Sequence, residues 1–198
     1  MLSIILIFQF TLAESSLKGS IYPIVKGTYT IPSEGFQITL PDGWTGIDLN
    51  PVAIVSPAGI DLKTGSIKRG GDSILMVLGR ANVSDYLEGM NHYNTSKYAD
   101  YLKKIAETVG CRVLSDKFVK INGMKSEELT EQCGSHGLEK TISYVFASRK
   151  NIIFVGLKAS GLTFDNNLEK FKQSIQSIKI NDATDIEDII LGYTAPTR

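Results

Sequence analysis

Two short stretches of this chain, Ile74-Leu75-Met76-Val77-Leu78 and Ile152-Ile153-Phe154-Val155, are apolar at every position. Neither shows the alternation of a half-exposed strand, and both are shorter than the roughly 10 residues a helix needs. Gly71-Asp72 and Gly79-Arg80 bound the first, and Arg149-Lys150-Asn151 precedes the second. A strand that is apolar on both sides has to be covered on both sides. The segment before the second run repeats the requirement, with Ile142, Tyr144 and Phe146 on one face and Val145 and Ala147 on the other. The chain must therefore cover one sheet twice, with helices or with a helix and long loops on each face.

Two amphipathic segments are suited to that work. Residues 96–109 place Tyr98, Tyr101, Leu102, Ile105 and Val109 on one stripe, with Thr95 or Ser96 as the cap and Gly110 as the stop. Residues 163–178 repeat the scheme with Phe164, Leu168, Phe171, Ile175 and Ile178, capped by Thr163 or Asp165. A shorter helix is expected over 84–90. Strands are expected over 27–31 and 36–40, joined by Pro32-Ser33-Glu34-Gly35, over 45–49 and 52–56, and over 140–148. Segments 112–121 and 124–132 meet at Asn122-Gly123, a strong hairpin turn signal.

The 198 residues suit one domain, read as a mixed entry segment over 14–26, a single domain over 27–180 and an acidic tail over 181–198. That tail, with Asp182, Asp185, Glu187 and Asp188, is expected to form a short terminal helix around Ile186 to Leu191. With 21 Lys+Arg against 21 Asp+Glu the chain lacks the basic surplus that draws proteins to nucleic acid, so no nucleic-acid partner is expected. Residues 2–12 are apolar apart from Ser3, Gln9 and Thr11, and Thr11-Leu12-Ala13 ends the run in a form a signal peptidase reads. About 12 residues of helix reach roughly 18 Å, short of a hydrocarbon core of about 30 Å. The expectation is a signal peptide over 1–13 and a secreted or extracytoplasmic protein that is not integral to the membrane after cleavage; a buried first element is the competing reading.

Cys111 and Cys133 bear on the same question. A three-residue loop centred on Asn122 would set them directly opposite one another, whereas a two-residue loop would leave them one residue out of register. Opposed strand residues come close enough to bridge. A disulfide is expected, against the alternative of two buried free thiols, and it agrees with an oxidising compartment. Asn82-Val83-Ser84 and Asn94-Thr95-Ser96 are glycosylation sequons, making Asn82 and Asn94 candidate sites.

No catalytic constellation is legible. The Gly-x-Ser-x-Gly elbow is absent, and Gly134-Ser135-His136-Gly137 reads as a turn. Glu131, Cys133 and His136 lie within one short segment and would offer mixed zinc or copper ligands if Cys133 were reduced, so Glu131 and His136 stand as weak candidates while no metal or cofactor is expected. Lys63, Lys68 and Arg69 in a glycine-rich loop form a candidate anion site without the order of a P-loop. His92 reads as an exposed histidine.

The segment Gly35-Phe36-Gln37-Ile38-Thr39-Leu40-Pro41-Asp42-Gly43-Trp44, a strand closed by Pro-x-Gly-Trp, resembles the opening of PsbP-like and Mog1-like domains. The later succession of a helix, a hairpin turning at Asn122-Gly123, two long strands and a last amphipathic helix is similar to the rest of that fold, over about residues 27–180. The resemblance implies an α+β fold, an αβα sandwich around a mostly antiparallel sheet, and a non-enzymatic role in binding protein partners or stabilising a complex. The cysteine pair is not part of the family pattern, and no family site transfers. A small-ligand or metal carrier is the alternative, ahead of a secreted hydrolase.

Overall fold

In the computed structural model, which describes residues 22–58, 74–92, 98–108, 110–133, 138–148, 151–185 and 189, the doubly apolar segments lie side by side within one sheet. The chain runs through β1 (Ile24–Lys26), β2 (Thr28–Ile31), β3 (Phe36–Thr39), β4 (Thr45–Asp48), β5 (Val52–Ser56) and β6 (Leu75–Asn82). Helices α1 (Val83–His92) and α2 (Tyr98–Thr108) follow. Then come β7 (Cys111–Ile121), β8 (Met124–Cys133), β9 (Glu139–Ser148), β10 (Asn151–Ser160), α3 (Gly161–Gln176) and β11 (Ala183–Thr184). The nine-stranded sheet has the order β1-β4-β5-β6-β10-β9-β8-β7, with β11 added to β9 where β8 ends, and β2-β3 form a separate ribbon. Each of these ladders is antiparallel.

Alternation along the central strands divides the core in two. Met76 and Leu78 on β6, Ile142, Tyr144 and Phe146 on β9, and Ile153, Val155 and Leu157 on β10 join Phe164, Phe171 and Ile175 of α3 and Ile31, Phe36 and Ile38 of the ribbon. Val77, Val145, Ala147, Ile152 and Phe154 point the other way and meet Ile105 of α2, with Val83 and Leu87 of α1 packed alongside. The sheet is thus walled in as the apolar runs demanded, by α3 and the ribbon on one face and by α1 and α2 on the other, in a mostly antiparallel α+β fold. Gly79 makes one of these contacts feasible: a Cβ there would fall inside the Phe154 ring.

Several expectations need correction. The sheet begins before residue 27, since Ile24–Lys26 of the entry segment pairs with β4. Helix α3 starts earlier than read and is capped at Ser160 with no side-chain hydrogen bond, so neither Thr163 nor Asp165 caps it. Helix α1 extends to His92, two residues beyond the expected end. The segment read as tail supplies β11, and Asp185 Oδ1 accepts the Lys125 N–H at 2.9 Å, so the ordered chain continues past residue 180. Residues 186–188 and 190–198, where a terminal helix was expected, lie outside the described residues, as do residues 1–21 with the expected leader. The Pro32–Glu34 turn, which needs Gly35 at φ 58 to close, is fastened to the sheet. Arg80 donates to Ser33 Oγ at 2.9 Å and to Asn50 Oδ1 at 3.0 Å, and Ser148 Oγ donates to Glu34 Oε2 at 2.9 Å. Burial pushes the Glu34 carboxyl up, but hydrogen bonds from Asn151, Ser148 and Ser33 and the Arg80 charge outweigh it and leave it below the ordinary value.

The aromatic anchor of α3 provides a direct measure of this packing. Phe171 is fully buried and its ring centroid lies 6.0 Å from that of Tyr144. Phe171→Ala is expected to cost about 3–5 kcal/mol in urea denaturation, whereas Leu162→Ala on the same helix, at an exposed side chain, should stay within about 0.5 kcal/mol.

Candidate interaction surface

The β7–β8 arm is built from its turn outward. Asn122 and Gly123 take φ 48 and φ 86, the paired left-handed values of a two-residue hairpin loop, and Ile121 faces Met124. Of the two loop lengths the sequence allows, the two-residue one forms. Taken alone, the two-residue loop would leave Cys111 and Cys133 out of register. A bulge between Val113 and Ser115 inserts one extra residue into β7 and restores the opposition, so Cys111 stands across from Cys133 with a Cα separation of 4.1 Å and a disulfide between them. Asn122 has a second duty that its turn propensity does not reveal. Its Nδ2 donates to Gln176 O at 2.7 Å and to Ile178 O at 2.9 Å, which ties the hairpin tip to the exit of α3.

Under α2 the arm hides carboxylates. Glu127 and Glu131 share a face of β8 with Leu129, and both are buried. Glu131 is 2% exposed, stands opposite Thr141 in the ladder, and its Oε1, like Thr141 Oγ1, has no hydrogen-bond partner among the described residues. Burial pushes the Glu131 carboxyl from 4.5 up to about 7. On the opposite face the Tyr144 hydroxyl donates to Glu128 Oε2 at 2.7 Å, and Lys117 Nζ lies 3.0 Å from Glu128 Oε1. Burial, with Glu128 adding to it, raises the Tyr144 phenol, and burial with Asp48 behind it takes Tyr29 up to about 12.

The disulfide removes Cys133 from the mixed ligand set, and the candidate Glu131 is buried on β8. His136 lies outside the described residues, as do Lys63, Lys68, Arg69 and Asn94. Among the described residues no three His, Cys, Asp or Glu side chains gather as metal ligands. Asn82 is exposed at the end of β6, where its Oδ1 accepts the Ser84 N–H at 3.2 Å and so caps α1. Between the β2–β3 ribbon, the β7–β8 turn and the exit of α3 lies an open cleft of about 650 Å³, bordered by Gln37, Thr39, Asn122, Met124, Ile178 and Lys179. No helix among the described residues is long and apolar enough to cross a membrane.

Large apolar side chains reach solvent at the rim. Leu138 and Leu162 are 68% and 83% exposed, and the Gly161 N–H to Leu138 O hydrogen bond at 3.2 Å links the segments that carry them. Beside them Lys140 bridges to Asp165 at 3.0 Å and lies 5.7 Å from the Phe164 ring centroid. Leu114 and Phe118 on β7 are 47% and 43% exposed. Sequence reading missed both patches, because an exposed leucine next to a turn carries no periodic signal.

No family profile matches the chain, and no curated protein sequence does. Solved structures do. The solution structure of cyanobacterial PsbP (CyanoP) from Synechocystis sp. PCC 6803 superposes with a TM-score of 0.55 at 15% identity, covering 82% of this chain and 95% of that one. A protein of unknown function from Pseudomonas aeruginosa, PA94, described as a putative regulator, gives 0.44 at 16% identity over 76% of this chain and 93% of its own. A point mutant of the protein Mog1 gives 0.42 at 8% identity over 81% and 96%. The likeness to CyanoP shows that the chain has the fold of a PsbP-like domain.

Two outcomes follow from the arm. The folded state holds the Glu131 proton more tightly than the unfolded state, so its contribution is complete below about pH 4.5, declines as pH rises to about 7 and is flat above. Wild-type stability should fall by up to about 3 kcal/mol across that window, and Glu131→Gln should flatten the profile in denaturation series at stepped pH. Replacing Cys111 and Cys133 together by Ser should cost about 3 kcal/mol at constant pH, the chain-entropy value for a loop of this size.

Proposed function

We propose that this chain is a non-enzymatic, exported PsbP-like domain that binds a protein partner and so helps to assemble or stabilise an extracytoplasmic complex. The observation that carries the reading is the pair Leu138 and Leu162, left in water on segments that the Gly161 N–H to Leu138 O hydrogen bond joins. Apolar anchors of this kind lose water on docking, and the ionic rim of Lys140, Asp165, Lys158 and Glu139 around them supplies orientation. The ionisable groups resolved elsewhere support it as well: Glu34, Asp48 and Glu128 are engaged by Arg80, Tyr29 and Tyr144 in contacts that hold elements together. The Cys111–Cys133 bridge fits an oxidising compartment, and the fold likeness to CyanoP places the chain among domains of this shape.

A small-ligand carrier is the second reading, favoured by the cleft beside α3. Its border mixes amide, hydroxyl and lysine groups with Met124, Ile178 and Ile180, suited to an amphipathic ligand.

A photo-crosslinking side chain placed at position 162 and activated in the native host should give a discrete adduct. Leu138→Asp combined with Leu162→Asp should abolish capture of that same partner while moving the melting temperature by no more than about 2 °C. An adduct that forms only from positions lining the cleft would favour the carrier. Recovery of the host protein with Met1 intact and both thiols free would overturn export.

A further inference from the structure

A sheet edge presents unpaired N–H and C=O groups, and chains protect such edges by keeping them short or by placing charges along them. In this sheet β1 is protected by length, at three residues. β7 is not. It runs for eleven residues at the other end of the sheet, and Arg112, Leu114, Ser115, Asp116, Lys117, Phe118 and Lys120 are all exposed.

The turn dictates which backbone groups of β7 are open. A two-residue loop closes on Ile121 and Met124, so that pair exchanges its N–H and C=O groups across the hairpin. Antiparallel ladders alternate, so Val119 and Lys117 also bond inward to β8, while Lys120, Phe118 and Asp116 turn their backbone groups to the open side. Those same alternate residues share one face of the sheet. Asp116 and Lys120 take part in no ion pair among the described residues, whereas Lys117 on the other face is held by Glu128 at 3.0 Å.

The order along that face is acidic, aromatic, basic, and it is complementary to itself under a half-turn about Phe118. A twofold axis normal to the sheet keeps side chains on their own face and reverses the strand. It sets Phe118 against Phe118 of a second copy, with Asp116 against Lys120 on one side and Lys120 against Asp116 on the other. Neighbouring registers are worse: centring on Asp116 opposes carboxylates, and centring on Lys117 opposes ammonium groups. We infer that β7 is a self-association edge through which two copies of this chain join antiparallel about Phe118, extending the sheet from one protomer into the next. The interface is isologous and closes after two subunits. At each opposed pair both backbone hydrogen bonds form, because the groups that face outward belong to these residues. This inference is independent of the partner-binding reading, which rests on the Leu138–Leu162 corner.

Sedimentation equilibrium of the full chain, run over a concentration series, tests it through charge reversal at exposed positions that leave the core untouched. The wild type should dimerise. Asp116→Lys should weaken the dimer at least about tenfold, since it sets lysine against lysine at both flanks, and Asp116→Lys with Lys120→Asp should restore it. Phe118→Cys should yield a disulfide-linked dimer on mild oxidation, with the Cys111–Cys133 bridge intact by peptide mapping, because opposed hydrogen-bonded residues lie at about 5.5 Å between Cα atoms. Leu114→Cys should not. A wild type that stays monomeric throughout, a dimer indifferent to Asp116→Lys, or a double reversal that fails to rescue would each overturn it.

Discussion

The structure depends on burial of β9 and β10 from both sides. Their side chains alternate between two apolar clusters, one closed by α3 and the β2–β3 ribbon, the other by α1 and α2. Neither cluster can form without the sheet, and the sheet would expose a greasy face if either cover were lost. Each fully buried aliphatic or aromatic side chain contributes on the order of 1.5–3 kcal/mol through removal from water, so the two layers are mutually conditional. The ladders among β6, β10, β9 and β8 are long and antiparallel, which gives the central strands their backbone partners while the helices supply the rest.

Polar chemistry in this molecule is mostly fastening. The Arg80–Glu34–Ser148 group pins the ribbon turn to the sheet end, Asn122 locks the hairpin to α3, and β11 fills the place that β8 vacates along β9. Glu131 is the departure from that economy. A carboxyl buried opposite Thr141, with an oxygen unpartnered among the described residues, is pushed up to about 7 by burial and so makes the α2-covered face sensitive to pH near neutrality. The apolar side chains left over from packing, Leu138 and Leu162 at one corner and Phe118 on the β7 edge, stay in water.

Much of the architecture was legible in the sequence for a definite reason. The split of Ile142, Tyr144 and Phe146 from Val145 and Ala147 is a two-residue period, a local property of the extended chain, and it holds in the folded sheet. The stripe through Phe164, Leu168, Phe171 and Ile175 is likewise local and points at the core as its spacing requires. Turn chemistry at Asn122-Gly123 placed the hairpin, because few residues tolerate left-handed backbone in succession. The candidate site was less legible. The pairing of Cys111 with Cys133 was expected, but not through a two-residue loop, since the bulge that realigns them has no signature in Arg112-Val113-Leu114-Ser115. Glu131 read as a ligand candidate, because a single strand does not tell which side of it α2 will occupy.

What the sequence by itself determined is everything set by period and turn: a sheet apolar on two faces, helical cover for it, and a hairpin joining the cysteine segments. Tertiary structure alone decided which polar groups are sealed and which strand is left at the margin. Burial and edge position depend on how strands are ordered across the sheet, and that order arises from contacts between residues far apart along the chain, where no local pattern reaches.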